Sequence, residues 1–117
     1  MKLYISQLID KNACQSQVDL FRSKFGESVD VTPELCARVA TEFEFCWAAG
    51  NLLSDSAGAE YDRAMAPARA KYSRASRALY KYECEPSTAE KVAWTEFMRA
   101  RAIAFANAYN TMEAAQP

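Results

Sequence analysis

The sequence contains no histidine, and only three glycines and four prolines interrupt its 117 residues. Without histidine, the Ser-His-Asp and Cys-His mechanisms, histidine general bases and histidine-ligated zinc sites are all excluded. The sequence also lacks a glycine-rich phosphate loop, a nucleophile elbow and any motif with metal-ligand spacing. We therefore predict that the protein is not an enzyme and that it binds no cofactor and no metal.

Long apolar runs are absent as well. The apolar stretch Leu3–Ile5 is followed by polar residues, so we expect neither a secretory signal nor a membrane span at the N-terminus. The four cysteines, Cys14, Cys36, Cys46 and Cys84, form no Cys-x-x-Cys pair. Free cysteines in a reducing compartment usually act as small buried hydrophobes. We therefore predict reduced, mostly buried thiols, no membrane association and a cytoplasmic location.

Neither sign of charge is in excess, because 14 Lys and Arg residues oppose 15 Asp and Glu residues, for a formal net charge of -1. This balance excludes both a strongly basic protein that coats nucleic acid and an acidic disordered tail. Half of the residues are apolar, which is enough for the core of one compact domain. The scarcity of glycine, proline and β-branched runs favours an all-α fold.

Residues 1–55 are predicted to form a small N-terminal module of short helices. After one helical turn over residues 6–11, apolar residues from Cys14 to Phe25 recur at helical spacing, and Gly26 predicts the end of that helix. The next helix is predicted to begin with Thr32 as N-cap and Pro33 in the first turn. Its apolar stripe consists of Leu35, Cys36, Val39 and Phe43.

The connection before that helix, residues 27–31, is predicted to be extended. A further short helix is predicted over residues 44–53, where Trp47 adds a large apolar anchor. The module thus contains three short helices after the initial turn.

Residues 56–117 are predicted to form a long antiparallel helical hairpin that packs on this module. In the first long helix, apolar residues recur at alternating spacings of four and three, which keeps one seam towards a partner helix. Pro67 removes one backbone donor, so we expect a kink without a break. A capping box at residues 87–90 opens the last helix, predicted to end near Asn110. The predicted seam contains Tyr61, Met65, Ala68, Tyr72, Ala75 and Leu79, and the predicted face of the last helix contains Ala93, Trp94, Phe97, Ala100, Ala104, Phe105 and Ala108.

A sequence repeat lies within the hairpin. The segment 59–64 returns eleven residues later as 70–75, and again as 95–100. Eleven residues are close to three helical turns. Each aromatic residue of the repeat is therefore expected on the packed face of its helix and each arginine on the opposite face.

Basic residues dominate one side of the first long helix, with no acidic residue between Arg63 and Lys81. On a helical wheel, four of the basic residues fall within about 60° of each other, opposite Tyr61 and Tyr72. We call this surface the basic ridge and predict that it binds a partner. Its candidate residues are Arg63, Lys71, Arg74, Arg77 and Lys81.

The sequence is compatible with three interpretations of the basic ridge. Residues 1–58 carry 5 basic and 8 acidic side chains, whereas residues 59–117 carry 9 and 7. The ridge could therefore lie along a phosphate backbone, bind an acidic protein groove, or be a solvated face partly neutralised by the acidic module. The acidic surface of residues 27–44 is a second candidate contact.

Two pieces of the chain together carry a resemblance to a known family. The first piece contains Asn12, Ala13, Cys14, Gln15, Gln17, Val18 and Phe21, then Val31, Thr32, Phe45, Trp47, Ala48, Ala49, Asn51, Leu52 and Leu53. The second piece, residues 57–67, matches a repeat unit of the type A-x-A-E-Y-x-R-x-x-A-P, with Gly58 as a departure. The first piece resembles a small module common in proteins of tailed bacteriophages and prophages, in many of which tandem repeats like the second piece follow it. The resemblance spans residues 3–109 and implies phage origin, without implying any catalytic residue.

Phage origin suggests a function by analogy, since small helical phage proteins without catalytic residues often bind a host protein. Anti-CRISPR and other anti-defence proteins are such a class. The resemblance therefore implies a host-defence inhibitor in the host cytoplasm whose partner is a host protein, with a CRISPR-Cas effector as one candidate. Two alternatives stay open: an accessory protein that binds nucleic acid, and a structural phage component that self-assembles through the faces of Tyr61, Tyr72 and Phe97.

Overall fold

The computed structural model describes residues 1–80 and 88–115, including the side chains of residues 1–74 and 91–112. Helices dominate, which confirms the predicted all-α class, and two short strands accompany them. The strands are β1 (Lys2–Tyr4) and β2 (Ser28–Asp30). The helices are α1 (Ile5–Asp10), α2 (Gln15–Phe25), α3 (Pro33–Arg38), α4 (Phe45–Leu52), α5 (Asp55–Tyr80) and α6 (Thr88–Ala115).

The segment predicted as an extended connection is one strand of a small antiparallel sheet. β2 pairs with β1, so that Leu3 lies opposite Val29. The pairing is extended at one end by a hydrogen bond from the Ile5 amide to the Glu27 carbonyl at 2.9 Å. β1 was not predicted, because a three-residue strand has too few residues to show an alternating pattern.

The short helices follow the local signals of the sequence in most places. Gly26 adopts a φ of 76°, a conformation that favours glycine, and it ends α2 as predicted. The Thr32 side chain accepts a hydrogen bond from the Leu35 amide at 3.1 Å, which confirms the predicted N-cap of α3.

Three details of this module differ from the prediction. α3 ends at Arg38 and is shorter than predicted. The last two residues of its predicted apolar stripe, Val39 and Phe43, lie beyond the helix in a turn. The predicted turn over residues 6–11 is the six-residue helix α1, so the module contains four short helices. Cys14 is the N-cap of α2 and lies exposed, outside the apolar stripe in which it was placed.

α5 and α6 form the predicted antiparallel hairpin. α5 is one helix of 26 residues that continues through Pro67. Tyr61 and Met65 of its predicted seam are buried. The antiparallel direction follows from two positions along α5: Tyr72 packs against Trp94 and Phe97, whereas the earlier residue Tyr61 interacts electrostatically with the later residue Arg101. The side chains of the predicted seam residues Ala75 and Leu79 lie outside the described part of the chain. The side chains of the predicted capping box, residues 87–90, do so too, although the backbone of α6 is described from Thr88.

α6 is the central helix of the molecule, and its burial differs from the predicted single face. Ala104, Phe105 and Ala108 of that face are buried, but Trp94 is 45% exposed. A second row of side chains on α6, which was not predicted, is buried as completely as these three. α6 contacts α5 on one side and also packs against α3 and α4, and it continues to Ala115, beyond the predicted end near Asn110. The missed row consists of Met98, Ala102, Ala106 and Tyr109.

The C-terminal part of α6 is hydrogen-bonded to the N-terminal strand. The Tyr109 hydroxyl donates to the Lys2 carbonyl at 3.1 Å and accepts from the Gln7 side-chain amide at 3.3 Å. Nearby, the Asn110 side-chain amide donates to the Val31 carbonyl at 3.0 Å. These bonds connect residues at opposite ends of the chain, and one cluster of buried side chains includes residues from both halves.

Replacing Tyr109 by phenylalanine is expected to lower the free energy of unfolding by about 1–2 kcal/mol, because the Lys2 carbonyl and the Gln7 amide lose a buried partner. Urea unfolding followed by circular dichroism measures the change. Tyr4→Phe is the matched control, since Tyr4 is 48% exposed. Equal stability of Tyr109→Phe and the parent protein would contradict the contribution assigned to this hydroxyl.

Among the described residues, no helix is both long and apolar enough to cross a membrane.

Candidate partner-binding surface

The described part of the basic ridge lies on the solvent-facing side of α5. Arg63, Lys71 and Arg74 are exposed, whereas Tyr61 and Met65 on the opposite side are buried. The same division holds for the eleven-residue repeat, in which the arginines are exposed and the aromatic residues are buried or half-buried. Two other predicted ridge residues cannot be placed: the Arg77 side chain and all of Lys81 lie outside the described residues.

Carboxylates of the hairpin itself neutralise part of this surface. Arg63 forms an ion pair with Glu60, one helical turn earlier in α5. The Lys71 ammonium lies 3.3 Å from a carboxylate oxygen of Glu96, which belongs to α6. All four side chains are largely exposed, so each pair contributes little to stability. Among the described residues, these two ridge cations pair with carboxylates of the hairpin, and no ion pair joins them to the N-terminal module, which one of the open alternatives invoked.

Arg74 differs from the other described ridge residues. Its side chain is exposed, and it makes no ion pair with any residue whose side chain the structure describes. Among those residues, Arg74 is thus the ridge cation whose guanidinium is most available to an external anion. A planar guanidinium can bind a carboxylate through two parallel hydrogen bonds.

Two further arginines flank Tyr61, away from the ridge. The Arg69 guanidinium lies 6.0 Å from the centre of the Tyr61 ring, and it also lies 3.5 Å from Asp62. Arg101 lies over the Phe97 ring at 5.8 Å. Burial raises the pKa of Tyr61, which the positive charges of Arg101 and Arg69 partly oppose. Tyr61 therefore remains protonated at neutral pH and is a packing residue.

The aromatic residues of the hairpin cover one another. The Tyr72 and Phe97 ring centres lie 5.1 Å apart, and those of Trp94 and Phe97 lie 6.2 Å apart. Tyr61 is buried, and both Tyr72 and Phe97 are half-buried. Tyr61 is therefore covered within the monomer, whereas Tyr72 and Phe97 keep part of their surface exposed, and the self-assembly hypothesis stays a prediction.

The described cysteines do not share one environment. Cys36 is buried as predicted, and burial raises the pKa of its thiol to about 11, so the thiol stays protonated at neutral pH. Cys14 and Cys46 are exposed, which makes the prediction of mostly buried thiols wrong for two of the three described cysteines. Cys84 lies outside the described residues. No group of three or more Cys, Asp and Glu residues in the described part of the chain could hold a metal ion.

An apolar pocket of about 70 Å³ lies within the N-terminal module and was not predicted. Phe25 and Phe43 stack along its wall with ring centres 5.8 Å apart, and Phe105 of α6 also lines it. The pocket opens to solvent, and half-buried side chains such as Leu35 and Trp47 contribute to it. The concentration of phenylalanine and tryptophan between residues 21 and 47 was the sequence signal that could have indicated it.

Polar residues border this pocket. The Gln17 side chain connects α2 to the turn before α4, because its carbonyl oxygen accepts from the Glu44 amide at 3.0 Å. Gln17 and Glu44 both line the pocket. The acidic residues of the predicted surface 27–44 are all exposed, and the Glu42 carboxylate forms an ion pair of 2.8 Å with Lys24. Residues 27–44 therefore provide both apolar side chains of the pocket wall and exposed carboxylates, of which that of Glu44 belongs to a residue lining the pocket.

The chain matches no protein-family model, no curated protein and no solved structure. The resemblance to the tailed-phage module therefore stays a prediction from the sequence.

Proposed function

We propose that the protein is a non-catalytic binding protein that attaches to a host protein complex and inhibits or modulates it, with the basic ridge as the contact. The phage resemblance of the sequence supports a host partner in the host cytoplasm. By analogy with small anti-defence proteins, a CRISPR-Cas or other defence effector is the partner class that we would test first.

The observation that carries this proposal is the exposure of Arg74 and its neighbours on the solvent side of a long helix. The packing of α5 on α6 uses the opposite side, so fold stability does not require the ridge cations. A row of cations along a rigid helix presents guanidinium groups at fixed spacing. Such a row fits an acidic protein groove, where exposed arginines form charge-assisted hydrogen bonds.

The ion pairs of the ridge favour a protein partner over nucleic acid. Glu60 and Glu96 lie beside Arg63 and Lys71, and their negative charge opposes a phosphate backbone. Nucleic-acid binding depends on many uncompensated cations, whereas a protein groove can match an alternating pattern of charges.

Charge reversal in the double variant Arg63→Glu, Arg74→Glu is expected to weaken capture of the host partner by about tenfold or more, or ~1.4 kcal/mol. The measurement is affinity capture from host lysate with the tagged protein, followed by titration of the recovered partner against parent and variant. Both side chains are exposed, so the variant should fold like the parent.

Arg99→Glu serves as the matched control, because Arg99 is exposed on α6 and lies outside the ridge. This control should bind the partner as the parent does. Failure to recover any protein near stoichiometric amounts would overturn the proposal. A salt-dependent gel shift with duplex DNA or RNA that the double variant abolishes would instead establish nucleic-acid binding.

A further inference from the structure

The apolar pocket of the N-terminal module is built from every short helix around it. Its walls come from both strands and the four helices of the module, and Phe105 of α6 forms part of one wall. The apolar side chains at the opening, such as Leu35, Phe43 and Trp47, are only half-buried. The pocket is therefore a concave apolar surface that solvent can reach.

The size of the pocket restricts what can enter it. Its volume of about 70 Å³ is roughly half of the 150 Å³ cavity that accepts benzene in a well-known engineered protein. An aromatic ring therefore exceeds the available space. The end of one aliphatic side chain, such as that of leucine or methionine, is of suitable size, and it would contact the apolar walls of the pocket.

The charge around the pocket restricts what can lie beside that side chain. Residues 27–44 provide one wall and carry five acidic residues and one basic residue, Arg38. All five acidic side chains are exposed, Glu42 is paired with Lys24, and Glu44 is the one that also lines the pocket. A segment that approaches this opening with lysine or arginine beside its apolar residue gains electrostatic attraction, whereas an acidic segment is repelled. The five are Glu27, Asp30, Glu34, Glu42 and Glu44.

From the pocket and the exposed carboxylates of residues 27–44 together, we infer a second binding site: the N-terminal module binds a basic peptide segment of a partner protein, with one aliphatic side chain inserted into the pocket. This inference rests on the proposed protein-binding function and gives the chemistry of one partner segment. The site is separate from the basic ridge of α5, so the two can be tested separately.

Tryptophan fluorescence can report on this site directly. Trp47 lines the pocket, and the remaining tryptophan is Trp94 on α6. In a Trp94→Phe background, the emission therefore comes from Trp47 alone. The probe is a short synthetic peptide of lysine and serine with one central leucine. Two reference peptides carry serine in place of the leucine, or glutamate in place of the lysines.

The leucine peptide is expected to shift the Trp47 emission in a saturable manner and to bind at least about tenfold more tightly than the serine peptide, as expected for one buried aliphatic side chain. The glutamate peptide should not bind. Equal binding of the leucine and serine peptides would overturn the insertion, and so would the absence of binding. An emission shift that depends on protein concentration without peptide would identify a second copy as the occupant and overturn the proposal.

Two variants test whether the peptide binds at the apolar pocket. Ala48→Leu adds a side chain at the pocket wall and should remove the preference for leucine. The pair Glu34→Lys, Glu44→Lys changes only exposed residues and should weaken binding of both lysine peptides about tenfold. Asp10→Lys is its matched control, because Asp10 is an exposed acidic residue that lies outside residues 27–44 and does not line the pocket. An Asp10→Lys effect equal to that of the pair would show general electrostatic attraction and overturn the site.

The ridge variant Arg63→Glu, Arg74→Glu separates this inference from the proposed function. It should bind the leucine peptide like the parent protein while losing host partner. If the peptide does not bind and ridge-dependent capture persists, the pocket site alone is overturned. If no host protein is captured by any variant, the proposed function fails, whatever the peptide does.

Discussion

Replacing Phe105 by alanine is expected to lower the free energy of unfolding by about 3–5 kcal/mol. Phe105 is 2% exposed, and its ring lies 5.7 Å from that of Phe45 in α4 and 5.6 Å from that of Tyr109. It also lines the apolar pocket, so its removal would enlarge a space that is already incompletely filled. The loss is a large fraction of the stability of an ordinary domain, typically about 5–15 kcal/mol.

Urea unfolding followed by circular dichroism measures this effect. Val92→Ala is the control on the same helix, because Val92 is 50% exposed and its truncation should change stability by no more than about 0.5 kcal/mol. A loss below about 1 kcal/mol for Phe105→Ala would contradict the placement of this ring between the two halves of the molecule.

The sequence predicted those parts of the fold that depend on local signals. The end of α2 at Gly26 and the start of α3 at Thr32 follow from the conformations that glycine and threonine favour at helix ends. The antiparallel hairpin follows from two long apolar patterns separated by a short loop. Each of these features involves residues that are close in the sequence, so a single segment contains the necessary information.

The position of α6 could not be predicted in the same way. A helix in contact with one partner shows one apolar stripe, whereas α6 packs against α5 on one side and against α3 and α4 on another. The alternate alanines from Ala102 to Ala108 reflect this, since all four are buried. Alanine is also the best helix former, so its abundance was compatible with an exposed helix.

The sequence predicted where the basic ridge lies on α5, but it did not predict which carboxylates pair with the ridge cations. Helical periodicity suffices to place Arg63, Lys71 and Arg74 on the outer side of α5. Pairing of Lys71 with Glu96 depends on how the two long helices are aligned, which no local pattern determines. The apolar pocket likewise arises from the arrangement of several short elements, so the sequence indicated only an excess of aromatic residues.

Replacing Ala106 by leucine is expected to destabilise the protein by about 1–3 kcal/mol, through overpacking and not through a cavity. Ala106 is 0% exposed, on the row of α6 that the sequence pattern did not reveal. Protein interiors are close-packed, so three additional carbon atoms at this position must displace neighbouring side chains or the helix itself. Leucine is also a good helix former, so a lower helix propensity would not explain a loss of stability.

Ala64→Leu is the matched control, because Ala64 is exposed on α5 and the added side chain would project into solvent. Thermal or urea unfolding should separate the two variants clearly, with the control within about 0.5 kcal/mol of the parent protein. If α6 packed on only one face, as its apolar stripe alone suggested, Ala106→Leu would be as harmless as the control. A loss of stability confined to Ala106→Leu would therefore support the central position of α6, and with it the wall that Phe105 contributes to the apolar pocket.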